Sequence, residues 1–121
     1  MVARKVLIVD DSRATRDALR AVLSTKGYGV AEAAGGREAL VYLRAGGEAS
    51  AIVLDLNMPD MSGHEVHQEL QRDPVLANIP VVVFSALDDD GRMQGIVAYI
   101  RKAVDPDVLL RAIAKACGST P

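Results

Sequence analysis

The sequence predicts an α/β fold, a parallel β-sheet with helices packed on both faces. Three apolar runs, Val6–Val9, Ala51–Leu54 and Val81–Phe84, are short, rich in β-branched residues and do not alternate. A strand reads this way when both of its faces are covered, as in a parallel sheet. The stretches between these runs carry helix caps and apolar residues three and four apart. The chain has 121 residues, half of them hydrophobic and a quarter charged. That suffices for one core of ordinary size and leaves no room for a second.

Each element has its own signal. Val6-Leu7-Ile8-Val9 forms the first strand and stops at Asp10. Ser12 caps a helix that runs to Lys26, with Ala18, Leu19, Val22 and Leu23 on one face and Gly27 as its stop. Val30–Ala33 is a weaker strand. Arg37 to Ala45 is helical, with Ala39, Leu40 and Leu43 on one face and Gly46-Gly47 after it. Ala51–Leu54 is the third strand. Gly63 to Arg72 is a more polar helix, with Val66 and Leu70 inward, ending before Asp73-Pro74. Val81–Phe84 and the weaker Val97–Ile100 complete the sheet. Asp105 caps the last helix and Pro106 takes its first position. Val108, Leu109, Ala112, Ile113 and Ala116 form its inner face, and Gly118 opens a short tail, 118–121. Alternation of this kind implies right-handed crossovers.

Composition excludes several functions. The net charge is −2 and the pI about 5.6, so no basic footprint for nucleic acid or anionic lipid exists in bulk. A single cysteine, Cys117, precludes an internal disulfide and a zinc site of several thiolates. No apolar run approaches the roughly 18 residues that span a bilayer. The apolar run after Arg4-Lys5 ends at Val9, too short for a signal peptide. The expectation is a cytoplasmic protein with no nucleic-acid or membrane partner.

In parallel sheets of this kind, function gathers at the carboxyl ends of the strands. Asp10, Asp11 and Ser12 follow the first strand; Asp55, Leu56, Asn57, Met58 and Pro59 the third; Ser85 the fourth; Lys102 the fifth. If the strands are neighbours, three carboxylates share one crevice, which is unfavourable without a neutralising cation. All-oxygen ligands point to Mg²⁺ or Mn²⁺. Metal, lysine, hydroxyl and a nucleophilic carboxylate together form a set suited to phosphoryl transfer.

VLIVDDS (Val6–Ser12), LDLNMPDMSG (Leu54–Gly63), IPVVVFSA (Ile79–Ala86) and YIRK (Tyr99–Lys102), in this order and spacing, resemble the receiver domain of two-component response regulators. The resemblance runs from Lys5 to about Cys117. It implies a single-domain, chemotaxis-type receiver over 1–121, a flavodoxin-like doubly wound sheet of five parallel strands in the order 2-1-3-4-5. It implies that Asp55 becomes an aspartyl phosphate. Asp11, Asp55 and the carbonyl of Asn57 would bind the metal directly, and Asp10 through a water. Lys102 would pair with Asp55 at rest and with the phosphoryl group afterwards. Ser85 would donate its hydroxyl to a phosphoryl oxygen, Tyr99 would change rotamer with Ser85, and Met58-Pro59 and Gly63 would shape the loop after Asp55. The implied function is a phosphorelay switch, a regulator rather than a turnover enzyme. Its phosphodonor would be a histidine kinase or a phosphotransfer protein. Output would pass through a protein partner or a further domain, and a weak dimer stays open.

Two features depart from that family. Ala103 follows Lys102 where the family has proline on a cis bond. A cis bond before any other residue costs about 2.5–4 kcal/mol, so a trans bond is expected. Secondly, Ala86 to Val97 must make the whole fourth crossover, near the physical minimum, and it includes Gly91 and Gly95. The fourth helix is therefore expected to span two turns at most, about Arg92 to Ile96, or to be absent, leaving the surface near Tyr99 and the last helix more open. Two rival functions are an unphosphorylated pseudo-receiver that only binds partners and, less favoured, a small phosphatase, which would need a second Asp where Asn57 stands. His64 and His67, three apart, read as a solvated helix face. Asp88-Asp89-Asp90 reads as a solvated turn, Cys117 as an inert thiol, and Met58, Met61 and Met93 as ordinary apolar residues.

Overall fold

The computed structural model describes residues 4–103 and 105–118. In chain order the elements are β1 (Lys5–Val9), α1 (Arg13–Thr25), β2 (Gly29–Ala33), α2 (Gly36–Arg44), β3 (Ala51–Leu54), α3 (Gly63–Arg72), a 3₁₀ turn (Leu76–Asn78), β4 (Val81–Ser85), β5 (Ala98–Arg101) and α4 (Pro106–Ala116). The five strands form one parallel sheet in the order β2-β1-β3-β4-β5. This is the expected doubly wound architecture. Residues 119–121 of the expected tail lie outside the described residues.

The continuous apolar runs follow from burial on both sides. Leu7 and Val9 of β1 point into a core closed by Ala39, Leu40 and Leu43 of α2 and Val66 and Leu70 of α3. Val6 and Ile8 point the other way, into a core closed by Leu19 and Leu23 of α1 and Leu109 and Ile113 of α4. Successive side chains of a strand face opposite ways, so a strand between two cores has no polar position to spare. Filling these cores supplies the main drive to fold, at about 25 cal/mol per Å² of apolar surface removed from water.

Helix ends match the sequence signals. Ser12 Oγ accepts from Thr15 N at 3.2 Å. Ser62 and Glu65 form a reciprocal capping box at α3. Asp105 accepts from Asp107 N at 2.9 Å, with Pro106 in the first turn of α4. Two expectations for helix faces need correction. Ala18 of α1 is exposed, and with Ala14, Thr15, Val22, Phe84 and Leu109 it lines an open apolar cavity of about 370 Å³ beside Lys102. His67 is buried, not solvated. It sits with Gly63, Val66 and Leu70 on the inner face of α3, and burial holds its imidazole below the ordinary value.

Residues 86–97 contain no helix, the second of the two outcomes expected for the short crossover. Asp89 and Asp90 turn the chain by accepting from Gly91 N and Arg92 N at 2.9 and 3.0 Å. Asp88 pairs with Arg101 of β5. Met93 and Ile96 then fold back as half-buried contacts on the core beneath α3, together with Tyr99, while Leu87 stays half exposed. The surface by Tyr99 is thus partly covered by the crossover itself. Cys117 is buried against α4's core, and burial pushes its thiol up, away from the reactive thiolate. No described helix is long and apolar enough to cross a membrane.

Candidate functional site

The register of the sheet sets the site. Val9 of β1 pairs with Leu54 of β3, so Asp10 and Asp55 leave the sheet side by side. Asp55 N donates to Val9 O at 2.9 Å, extending the ladder one step. Ser85 ends β4, fully buried, and Lys102 N donates to Ser85 O at 2.9 Å, which brings Lys102 to the same edge. One carboxylate oxygen from each of Asp10, Asp11 and Asp55 lies within 4.8 Å of the others. Asp10 and Asp55 are buried and Asp11 is exposed, so the cluster opens to solvent on one side.

Lys102 is the cation of this crevice. Its Nζ stands 2.9 Å from Asp10 Oδ2 and 3.6 Å from Asp55 Oδ1. The nearer partner is Asp10, where the family resemblance places Asp55. The Lys102–Ala103 bond is trans, since no cis peptide occurs among the described residues. The ammonium also lies 5.9 Å from the centre of the Phe84 ring. Burial lowers its affinity for a proton, and the two carboxylates, Asp10 foremost, more than restore it, so its pKa is raised.

Asp55 sits in the opposite balance. Burial, then the charge of Asp10, push its carboxyl above the ordinary value, while Lys102 and the N–H groups of Asn57 and Leu56 pull it down. With all three carboxylates ionised and one ammonium opposite them, the crevice keeps two negative charges in excess. A hard divalent cation matches that surplus and that all-oxygen set, so the residues present fit Mg²⁺. Asn57 is exposed beside Asp55.

The remaining expected site residues are close by. Ser85 Oγ accepts from Leu87 N at 3.1 Å, which fixes its position at the strand end. Tyr99 Oη donates to Leu87 O at 2.8 Å. Leu87 therefore joins Ser85 to Tyr99 through its own two backbone groups. Gly63 is required by a close approach: a Cβ there would lie 2.4 Å from Asp55 O. His64, His67 and Asp88–Asp90 do not join the cluster; among the described residues the only group with metal-ligand spacing is Asp10, Asp11 and Asp55.

Two contributors escape a reading by strand ends. Asp60, in the loop after Asp55, accepts from Gly36 N and Arg37 N at 3.3 and 3.1 Å. It thereby caps α2, whose own cap residue is Gly35, and those backbone donors, Arg37 first, hold its carboxyl below the ordinary value. Arg16 of α1 donates from Nη1 to Asp10 O at 2.8 Å. A signal for Arg16 existed, since helix side chains lean toward the N-terminus, here toward Asp10. None existed for Asp60, whose partners are over twenty residues away.

Residues 6–114 match the family described as the response regulator receiver domain. PilH of Pseudomonas aeruginosa is 30% identical over 114 residues, covering 90% of this chain and 93% of that protein. PleD of Caulobacter vibrioides is 37% identical over 116 residues, which is 92% of this chain but only 25% of PleD. Among solved structures, TrrA of Thermotoga maritima, crystallised in complex with Mg²⁺ and BeF, superposes with a TM-score of 0.85 at 27% identity, covering 93% of this chain and 98% of that one. CheY4, a chemotaxis protein of Vibrio cholerae, gives a TM-score of 0.86 at 28% identity, over 95% and 99% of the two chains.

Proposed function

The chain belongs to the response regulator receiver family, and from that premise we propose that it is a phosphoacceptor switch in which Asp55 accepts a phosphoryl group from a phosphohistidine. The donor is a histidine kinase or a phosphotransfer protein. An Asp55 carboxylate oxygen forms a bond to phosphorus as the phosphorus–nitrogen bond of the donor breaks, and the released imidazole takes up a proton. The supporting observation is the meeting of Asp10, Asp11 and Asp55 within 4.8 Å, opposite Lys102.

The chain's own residues have distinct parts in this reading. Asp11, Asp55 and the carbonyl of Asn57 would hold Mg²⁺ directly and Asp10 through a water, and the ion would supply charge neutralisation for the transferred group. Lys102, within reach of both buried carboxylates, moves toward the phosphoryl oxygens once they arrive. Ser85 gives up its contact with Leu87 N to face the phosphoryl group. Tyr99 holds the same residue from the other side and follows it. The unit that does this is one receiver domain spanning 1–121, with a tail from 118, and it works as a regulator rather than by turnover.

The test is mass measurement after incubation with Mg²⁺ and a small phosphodonor. The expected result is a stable adduct of one phosphoryl mass that is lost in Asp55→Asn. No adduct would mark a pseudo-receiver, and steady release of phosphate with no adduct a phosphatase.

A further inference from the structure

Arg16 binds two acceptors, one just past the end of β1 and one on β2. Its Nη1 donates to Asp10 O at 2.8 Å and its Nε to Glu32 Oε1 at 3.1 Å. Glu32 belongs to β2, and its second oxygen accepts from Arg20 Nε at 2.6 Å. The Arg16 side chain is only 15% exposed, so a permanent charge is held mostly out of water by these two acceptors. Glu32 is kept ionised, its carboxyl lowered first by the Arg20 hydrogen bond and further by Arg16.

The carbonyl that Arg16 grips belongs to the peptide joining Asp10 to Asp11. The rest of Asp10 is held as well: its N–H donates to Ala33 O at 3.1 Å, and its Oδ1 accepts from Ser12 N at 2.9 Å. Asp11, by contrast, is exposed. The plane of the peptide before it sets where the Asp11 Cα stands, and so from where its carboxylate must reach the cluster. We infer that Arg16 is a positioning residue of the cation site, acting through the Asp10–Asp11 peptide to hold the Asp11 carboxylate toward Asp10 and Asp55. The inference rests on the Mg²⁺ reading given above.

Charge alone makes the opposite forecast. A guanidinium beside three carboxylates repels a divalent cation, so its removal tightens cation binding if Arg16 acts only electrostatically. Removal weakens binding if Arg16 acts by position. The sign of the change separates the two.

The experiment is a Mg²⁺ titration of the whole chain followed by amide NMR shifts, with urea unfolding of each protein without Mg²⁺. Arg16→Met removes the charge and both hydrogen bonds. Arg16→Lys keeps the charge but cannot reach Asp10 O and Glu32 together. Arg20→Met removes the other arm on Glu32 and leaves Asp10 O alone. Outer-shell supports of metal sites are worth about tenfold or more in affinity, so both Arg16 variants are expected to bind Mg²⁺ about tenfold more weakly, while Arg20→Met stays within about twofold of wild type. Equal or tighter binding by the Arg16 variants overturns the inference, as does an equal loss in Arg20→Met. A purely structural role would lower the urea midpoint with the Mg²⁺ affinity unchanged, which also overturns it. If Arg16→Met does not fold, Arg16→Lys carries the comparison. If the wild type itself takes up no Mg²⁺, the cation reading fails first and the inference falls with it, an outcome distinct from all of these.

Discussion

Lys102 Nζ is shared unequally between two buried carboxylates, 2.9 Å from Asp10 and 3.6 Å from Asp55. The stronger claim of Asp10 leaves Asp55 the less compensated of the pair. Asp55 is also the residue whose carboxyl is raised by burial and by Asp10. In the resting domain the proposed nucleophile is thus the least comfortable anion of the crevice, and a cation or phosphoryl group that rearranges Lys102 acts on it first.

Asp55→Asn should therefore stabilise the protein while abolishing phosphoryl uptake. A carboxyl with a raised folded pKa binds its proton more tightly folded than unfolded. Its ionised form costs nothing below the ordinary value of 3.8 and costs progressively more as pH rises through the folded pKa. The melting temperature of Asp55→Asn should exceed wild type at pH 7 by roughly 2–6 °C, and the gap should close as pH falls toward 4. Thermal melts across pH would measure this, and a constant gap would contradict the assigned cause.

Lys102→Met leaves Asp10 and Asp55 facing each other without their cation. Removing one partner of a fully buried ion pair costs about 3–5 kcal/mol, and with the Lys102 side chain 25% exposed we expect about 1–3 kcal/mol. Millimolar Mg²⁺ should recover more stability in this variant than in wild type, because the divalent ion then meets an uncompensated crevice. Urea unfolding with and without Mg²⁺ gives both numbers.

Mg²⁺ should raise the melting temperature of the wild type in proportion to the logarithm of its concentration once the site is saturating. Asp11→Ala should remove that rise and leave the Mg²⁺-free stability nearly unchanged, since Asp11 is exposed. An equal Mg²⁺ response in the two proteins would place the cation elsewhere.

Asp60→Ala should cost about 1 kcal/mol, the usual worth of a helix cap. The amides of Gly36 and Arg37, which donate to Asp60, should exchange faster with solvent while those of β1 keep their protection. Uptake of a phosphoryl group should persist. Hydrogen exchange resolved by residue would show whether the effect stays at the start of α2.

The sequence made the sheet and the acidic set legible because both depend on position along the chain. A run such as Val6–Val9 is apolar throughout only if two cores flank it, and the residues just past the end of each parallel strand must lie at one rim. Lys102's preference for Asp10 depends on side-chain reach inside a crevice, which spacing does not encode. The Asp60 contact joins a loop to amides far away in sequence. His67 was legible in principle. It falls on the same three-and-four spacing as Gly63, Val66 and Leu70, but its residue type argued for solvent where its place on the helix argued for the core.

The unwound crossover bears on how the domain assembles. Val82 pairs with Ala98, sixteen residues on, whereas Val6 pairs with Ala51, forty-five residues on. Loop closure costs scale with the logarithm of length, so joining β5 to β4 is cheaper than joining β3 to β1 by only about 0.9 kcal/mol. A helix in that crossover would add local contacts that form early. Without one, β4 and β5 must find each other through an irregular tether, with α4 arriving to seal the pair. Lys102 directly follows β5 and donates its backbone N–H to Ser85 O, so the neutralisation of the crevice depends on β5 holding to β4 across that irregular tether.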